Sequence, residues 1–74
     1  MTPEWTAALE RLKEVAGTES RSFLEARQYA TGAWKNMGNV MYCAYVNIDG
    51  HGDYSEEYPK PGQAVDEIEA RSNA

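Results

Sequence analysis

The chain offers few groups able to carry covalent or acid–base chemistry. It has one cysteine, Cys43, and one histidine, His51. Cys43 lies within the run Val40-Met41-Tyr42-Cys43-Ala44-Tyr45-Val46-Asn47-Ile48. An apolar setting of this kind keeps a thiol protonated and inert. No histidine outside the turn region is available to activate it as a nucleophile. A single histidine also excludes a two-histidine zinc site, and between Gly50 and Gly52 it is expected to be solvent-exposed. Glu56 and Glu57 are adjacent carboxylates, but neighbours on a strand point to opposite faces and do not form an acid–base pair. There is no phosphate-cradling glycine loop and no Ser-His-Asp set. The expectation is a protein with no catalytic residue, no metal and no cofactor.

One string invites a closer look: Asn47-Ile48-Asp49-Gly50-His51-Gly52-Asp53-Tyr54-Ser55-Glu56-Glu57-Tyr58. Aligned on Gly52, it resembles a calcium-binding EF-hand loop, with oxygen ligands at alternate positions. The resemblance makes Asn47 the first ligand and His51, a nitrogen ligand, the third. It puts Tyr58 where a bidentate Glu is needed. The flanking segments also read as strands rather than helices. A hairpin built on Asp49-Gly50, or a longer loop through His51-Gly52, accounts for the same residues better.

Charge carries more information than any motif. The net charge is −5. Residues 1–37 hold five acids and five bases. Residues 38–74 hold seven acids (Asp49, Asp53, Glu56, Glu57, Asp66, Glu67, Glu69) against Lys60 and Arg71. That imbalance argues against direct contact with nucleic acid or an anionic membrane, both of which select basic surfaces. It suits a basic protein partner. Tyr42, Tyr45, Tyr54 and Tyr58 are interleaved with these acids, and tyrosine supplies large, rigid contact area at interfaces. The expected partner-binding residues are Asp49, Asp53, Tyr54, Glu56, Glu57, Tyr58, Asp66, Glu67 and Glu69. One tyrosine-bearing face is expected to join the core and the other to remain available.

These residues need elements to position them. A helix over about 3–16 is signalled by Thr2 as N-cap, Pro3 at the first position, Glu4 in the first turn and Gly17 as a stop. Its apolar stripe is Trp5, Ala8, Leu9, Leu12, Val15 and Ala16. A second helix is expected over about 20–35. It rests on a Ser22-x-x-Glu25 capping box and on the stripe Phe23, Ala26, Ala30 and Ala33 or Trp34. With the first helix it makes a helix–turn–helix pattern over 3–34, without the basic face that DNA binding needs. Residues 40–48 read as a strand with two apolar faces, Val40/Tyr42/Ala44/Val46/Ile48 and Met41/Cys43/Tyr45/Asn47. A return strand is expected over about 53–58, closed by Pro59 and Pro61. A short helix over about 63–71 would use Ala64, Val65 and Ile68. The fold class is then α+β: two N-terminal helices packed on a small antiparallel hairpin or sheet, with a possible short C-terminal helix.

The 74 residues suffice for one small domain with a marginal core. A strand apolar on both sides makes a homodimer that completes the core a reasonable expectation. The lone cysteine and the absence of a signal-peptide pattern point to the cytoplasm. In size and charge the chain is similar to phage-encoded inhibitors of host defence, including anti-CRISPR proteins. That similarity implies an acidic surface occupying a nucleic-acid-binding groove of a partner. A homodimeric adaptor, and a small metal- or ligand-binding protein using residues 47–58, are the alternatives.

Overall fold

Thr2 accepts a hydrogen bond from the Trp5 amide through its side chain (3.2 Å), and α1 runs from there over Pro3–Ala16. Gly17 ends it at φ +75°, its N–H reaching Lys13 O at 2.9 Å. The computed structural model describes residues 2–18, 20–32, 38–48 and 50–72. The remaining elements are β1 (Ser22–Arg27), β2 (Met41–Ile48), β3 (His51–Tyr54) and α2 (Pro61–Ser72). The three strands form one antiparallel sheet in the order β1-β2-β3.

The architecture is α+β, but the two helices flank the sheet in sequence instead of preceding it. The segment expected as a second helix over 20–35 is instead β1, with 28–32 irregular beyond it; Ala33 and Trp34 of the expected stripe lie outside the described residues. The reason is tertiary. A capping box contributes only about 1 kcal/mol. As a strand, the same residues make a six-pair register with β2, from Ser22↔Val46 to Arg27↔Met41. That register buries Leu24 against the helices and stacks Phe23 on Tyr45. A short helix striped with alanines had less apolar surface to offer.

The hairpin from β2 to β3 is tight. Ile48 pairs with His51, and Gly50 adopts φ +80°, a conformation that Asp-Gly turns use. Asp49 itself lies outside the described residues. β3 therefore starts earlier than expected, at His51, and ends at Tyr54 rather than running to Tyr58. Beyond it, Tyr58 forms a single bridge with Tyr42. Three residues separate Tyr54 from Tyr58, while two separate Tyr42 from Tyr45, so the margin carries one extra residue, as in a β-bulge. Ser55 absorbs the irregularity: its N–H donates to Ala44 O (2.8 Å) and its Oγ accepts from Ala44 N (2.9 Å).

α2 is longer than expected, beginning at Pro61, where a missing N–H costs nothing. Both helices cover one face of the sheet. The core joins Ala8, Leu12 and Ala16 of α1, Leu24 of β1, Ala44 and Val46 of β2, and Ala64, Val65 and Ile68 of α2. Trp5 closes one end, edge-to-face on Tyr42 at 6.0 Å. No described helix is long and apolar enough to cross a membrane.

Candidate interaction surface

The helical side of the molecule is organised by two arginines, each shared by two carboxylates. Arg11 of α1 binds Glu69 through Nε (3.2 Å) and also pairs with Asp66, so α1 and α2 are clamped side by side. Hydrogen bonds that it donates to Glu69 and Asp66 hold the Arg11 guanidinium firmly charged, above its ordinary pKa. Arg71 of α2 pairs with Asp53 of β3 and with Glu67 one turn back, and donates to Tyr54 O at 3.1 Å. Glu67 is the busiest carboxylate. Besides Arg71 it accepts from the Glu56 amide (3.1 Å) and from the Tyr58 hydroxyl (2.7 Å). The bond to Glu67 raises the Tyr58 phenol above its ordinary pKa.

A third cluster sits on the other face of the sheet. Arg27 donates to Glu25 (3.0 Å) and to Glu57 (3.1 Å), and Tyr29 donates to the same Glu57 oxygen (2.8 Å). Beside it runs a row of rings across all three strands. Phe23 stacks on Tyr45 at 4.8 Å, and Tyr45 leans on Tyr54 at 4.7 Å. The Arg27 guanidinium lies 5.6 Å from the Tyr54 ring centre. Tyr54 remains 46 % exposed. Gly52 leaves room for this row: a Cβ there would come within 2.9 Å of Tyr45 Cζ and closer still to its hydroxyl, so the Tyr45 ring would have to shift.

The residues expected to bind a partner are thus divided between two faces. Asp53, Glu56, Tyr58, Asp66, Glu67 and Glu69 gather around α2. Tyr54 and Glu57 lie on the opposite side of the sheet, and Asp49 falls outside the described residues. The tyrosines divide likewise, Tyr42 and Tyr58 toward the helices, Tyr45 and Tyr54 away from them. Charge divides with them. The helices and the residues bonded to them carry eight carboxylates (Glu4, Glu10, Glu14, Asp53, Glu56, Asp66, Glu67, Glu69) against Arg11, Lys13, Lys60 and Arg71. Among the described residues the other face holds Glu25 and Glu57 against Arg21 and Arg27, and these balance. Among the described residues, Glu4, Glu14 and Glu56 make no ion pair.

No protein-family model, curated protein or solved structure matches the chain.

The Cys43 thiol is 1 % exposed, burial pushes its pKa up, and it donates to Ser55 O at 3.2 Å. Among the described residues no three His, Cys, Asp or Glu side chains gather to hold a metal. A groove of 230 Å³ between β3 and the end of α2 is lined by Val46, His51, Asp53, Ile68, Arg71 and Ser72. Arg11, Arg27 and Arg71 were not expected at a site, and Phe23 was expected in the apolar stripe of a helix rather than in a row of rings on a sheet. Only the Glu67–Arg71 spacing of four was visible as a helix pair beforehand; Arg11 meets Asp66 and Glu69 across the whole length of the chain.

Proposed function

We propose that this chain is a non-enzymatic protein-interaction domain whose acidic helical face docks on a basic partner. A specific version is an inhibitor that occupies a surface built for phosphates, as phage-encoded anti-defence proteins of the anti-CRISPR kind do. The observation that carries the reading is the segregation of charge: the whole described surplus lies on one face, and the charges described on the other balance. The clamps support it too. Each shares one guanidinium between two carboxylates, so each retains a net negative charge while its side chains are held in place. Ordered carboxylates lose less conformational entropy on binding than free ones.

The test uses two of the three carboxylates that make no ion pair among the described residues, Glu14 and Glu56. The intact chain is immobilised, partners are captured at low and moderate salt, and nucleic acid is added as competitor. Capture of a basic partner that nucleic acid displaces is expected. The Glu14→Lys/Glu56→Lys double variant should weaken that capture about tenfold or more, equivalent to about 1.4 kcal/mol. Capture unchanged in the double variant, or no basic partner at all, sinks the proposal.

A further inference from the structure

Both β1 and β3 are edge strands, yet only one edge is guarded. β3 has four residues, and the Arg71 guanidinium caps its outward carbonyl at Tyr54. β1 is longer and has no such cover among the described residues. The bond from Asn47 N to Arg21 O (2.8 Å) fixes the phase of the ladder. Arg21, Phe23, Glu25 and Arg27 bond inward to β2, so the N–H and C=O groups of Ser22, Leu24 and Ala26 point away from the sheet. Among the described residues nothing engages them. The strand Ser-Phe-Leu-Glu-Ala-Arg carries no proline and no lysine, and its register with β2 is free of bulges. These are the devices that usually blunt an edge.

We infer that this edge pairs antiparallel with β1 of a second copy, across a two-fold axis at Phe23, making a continuous six-stranded sheet. The register follows from charge and side-chain type. Outward backbone groups occur only at even positions, so Ser22 lies opposite the partner's Leu24, and the reverse, giving four backbone hydrogen bonds. Phe23 then meets the partner's Phe23, and Arg21 meets the partner's Glu25 twice over. Arg21 is exposed and has no ion pair among the described residues, so this is the charge it lacks. A register centred on Leu24 would instead set Arg21 against the partner's Arg27, and one centred on Glu25 would oppose two glutamates; like charges directly opposite destabilise a pair of strands. The chosen register also continues the rings: Tyr54, Tyr45 and Phe23 of one copy run on into the partner's row. The charges described on the sheet face balance, whereas approach through the acidic helical faces would be repelled. The inference does not rest on the proposed function, because it uses the other side of the molecule.

Light scattering across a concentration series on the intact chain tests it. A dimer is expected, with Ser22 and Leu24 amides whose hydrogen exchange slows as concentration rises. Arg21→Glu should weaken the dimer at least tenfold while leaving the melting temperature of the monomer unchanged. The swap Arg21→Glu/Glu25→Arg should restore it. A strict monomer at millimolar concentration overturns the inference. So does a dimer indifferent to Arg21→Glu whose Ser22 and Leu24 amides exchange at a concentration-independent rate.

Discussion

Ser55 shows how one hydroxyl can hold an irregular margin. It is 6 % exposed, and its backbone and side chain together satisfy both the donor and the acceptor of Ala44. Ser55→Ala leaves the Ala44 N–H buried without a partner, which costs about 1–3 kcal/mol. Urea denaturation should register that loss with little change in slope; a stability within 0.3 kcal/mol of the parent, on the order of measurement noise, would mean another group takes the bond. Cys43 and Tyr58 make a second prediction at this scale. Both have pKa values raised on folding, Cys43 by burial and Tyr58 by its bond to Glu67. A raised folded pKa means the unfolded chain releases its proton first as pH climbs. Their stabilising contribution is therefore complete below the unfolded values of 9.0 and 10.0 and is lost as pH rises through the folded ones. The melting temperature should hold through neutral pH and fall from about pH 9 upward. In Tyr58→Phe the decline above about pH 10 should be shallower; an identical slope would assign it elsewhere.

At the scale of elements, α1 and β2 were legible because each is encoded locally. Thr2 and Gly17 mark the ends of α1, and the β-branched and aromatic run marks β2. β1 was not, and its residues explain why. Phe23, Ala26 and Ala30 satisfy a helical period and Ser22 and Glu25 a capping box, so the local pattern favours a helix; the choice is made by β2, which pairs with this segment along its whole length. The return strand was misplaced for a related reason. Tyr54 to Tyr58 alternates well, but Ser55 diverts the chain so that Glu67 can receive the Glu56 amide and the Tyr58 hydroxyl. α2 is thus fastened to the bulge by one side chain. Glu67→Ala removes three donors' acceptor at once and should cost about 1–2 kcal/mol, part of it screened because Arg71 is partly exposed and keeps Asp53. Amide exchange should accelerate at Glu56 and Tyr58 before it does in β1 or α1; uniform acceleration would mean that Glu67 supports the whole fold and not this joint.

For the whole molecule the sequence revealed the acidic surplus and pointed to the hairpin and the C-terminal segment together, because seven of the twelve acids follow residue 37. Folding sorts them by face: Asp53 is drawn to Arg71, Glu57 to Arg27, and α1 adds Glu4, Glu10 and Glu14 to the side already occupied by α2. Such sorting depends on pairings across long separations, which no local pattern contains. It also separates two roles for carboxylates that composition treats alike. Asp66 and Glu67 hold the fold through Arg11 and Arg71; Glu14 and Glu56 make no ion pair among the described residues. Two double variants distinguish these roles at equal net charge. Glu14→Lys/Glu56→Lys and Asp66→Lys/Glu67→Lys each change −5 to −1, since each substitution adds two charges. The first should leave stability within about 1 kcal/mol of the parent, as exposed substitutions do, with Lys favoured over Glu in the last turn of α1. The second sets new ammonium groups beside Arg11 and Arg71 and takes the acceptor from Tyr58, so it should cost about 2–4 kcal/mol. Denaturation at low salt and again near 1 M salt reads both. The gap between the variants should narrow at high salt, where repulsion is screened, yet persist through the lost hydrogen bonds. Equal stabilities in the two variants would mean that the clamps are surface ornament and that net charge alone governs this domain.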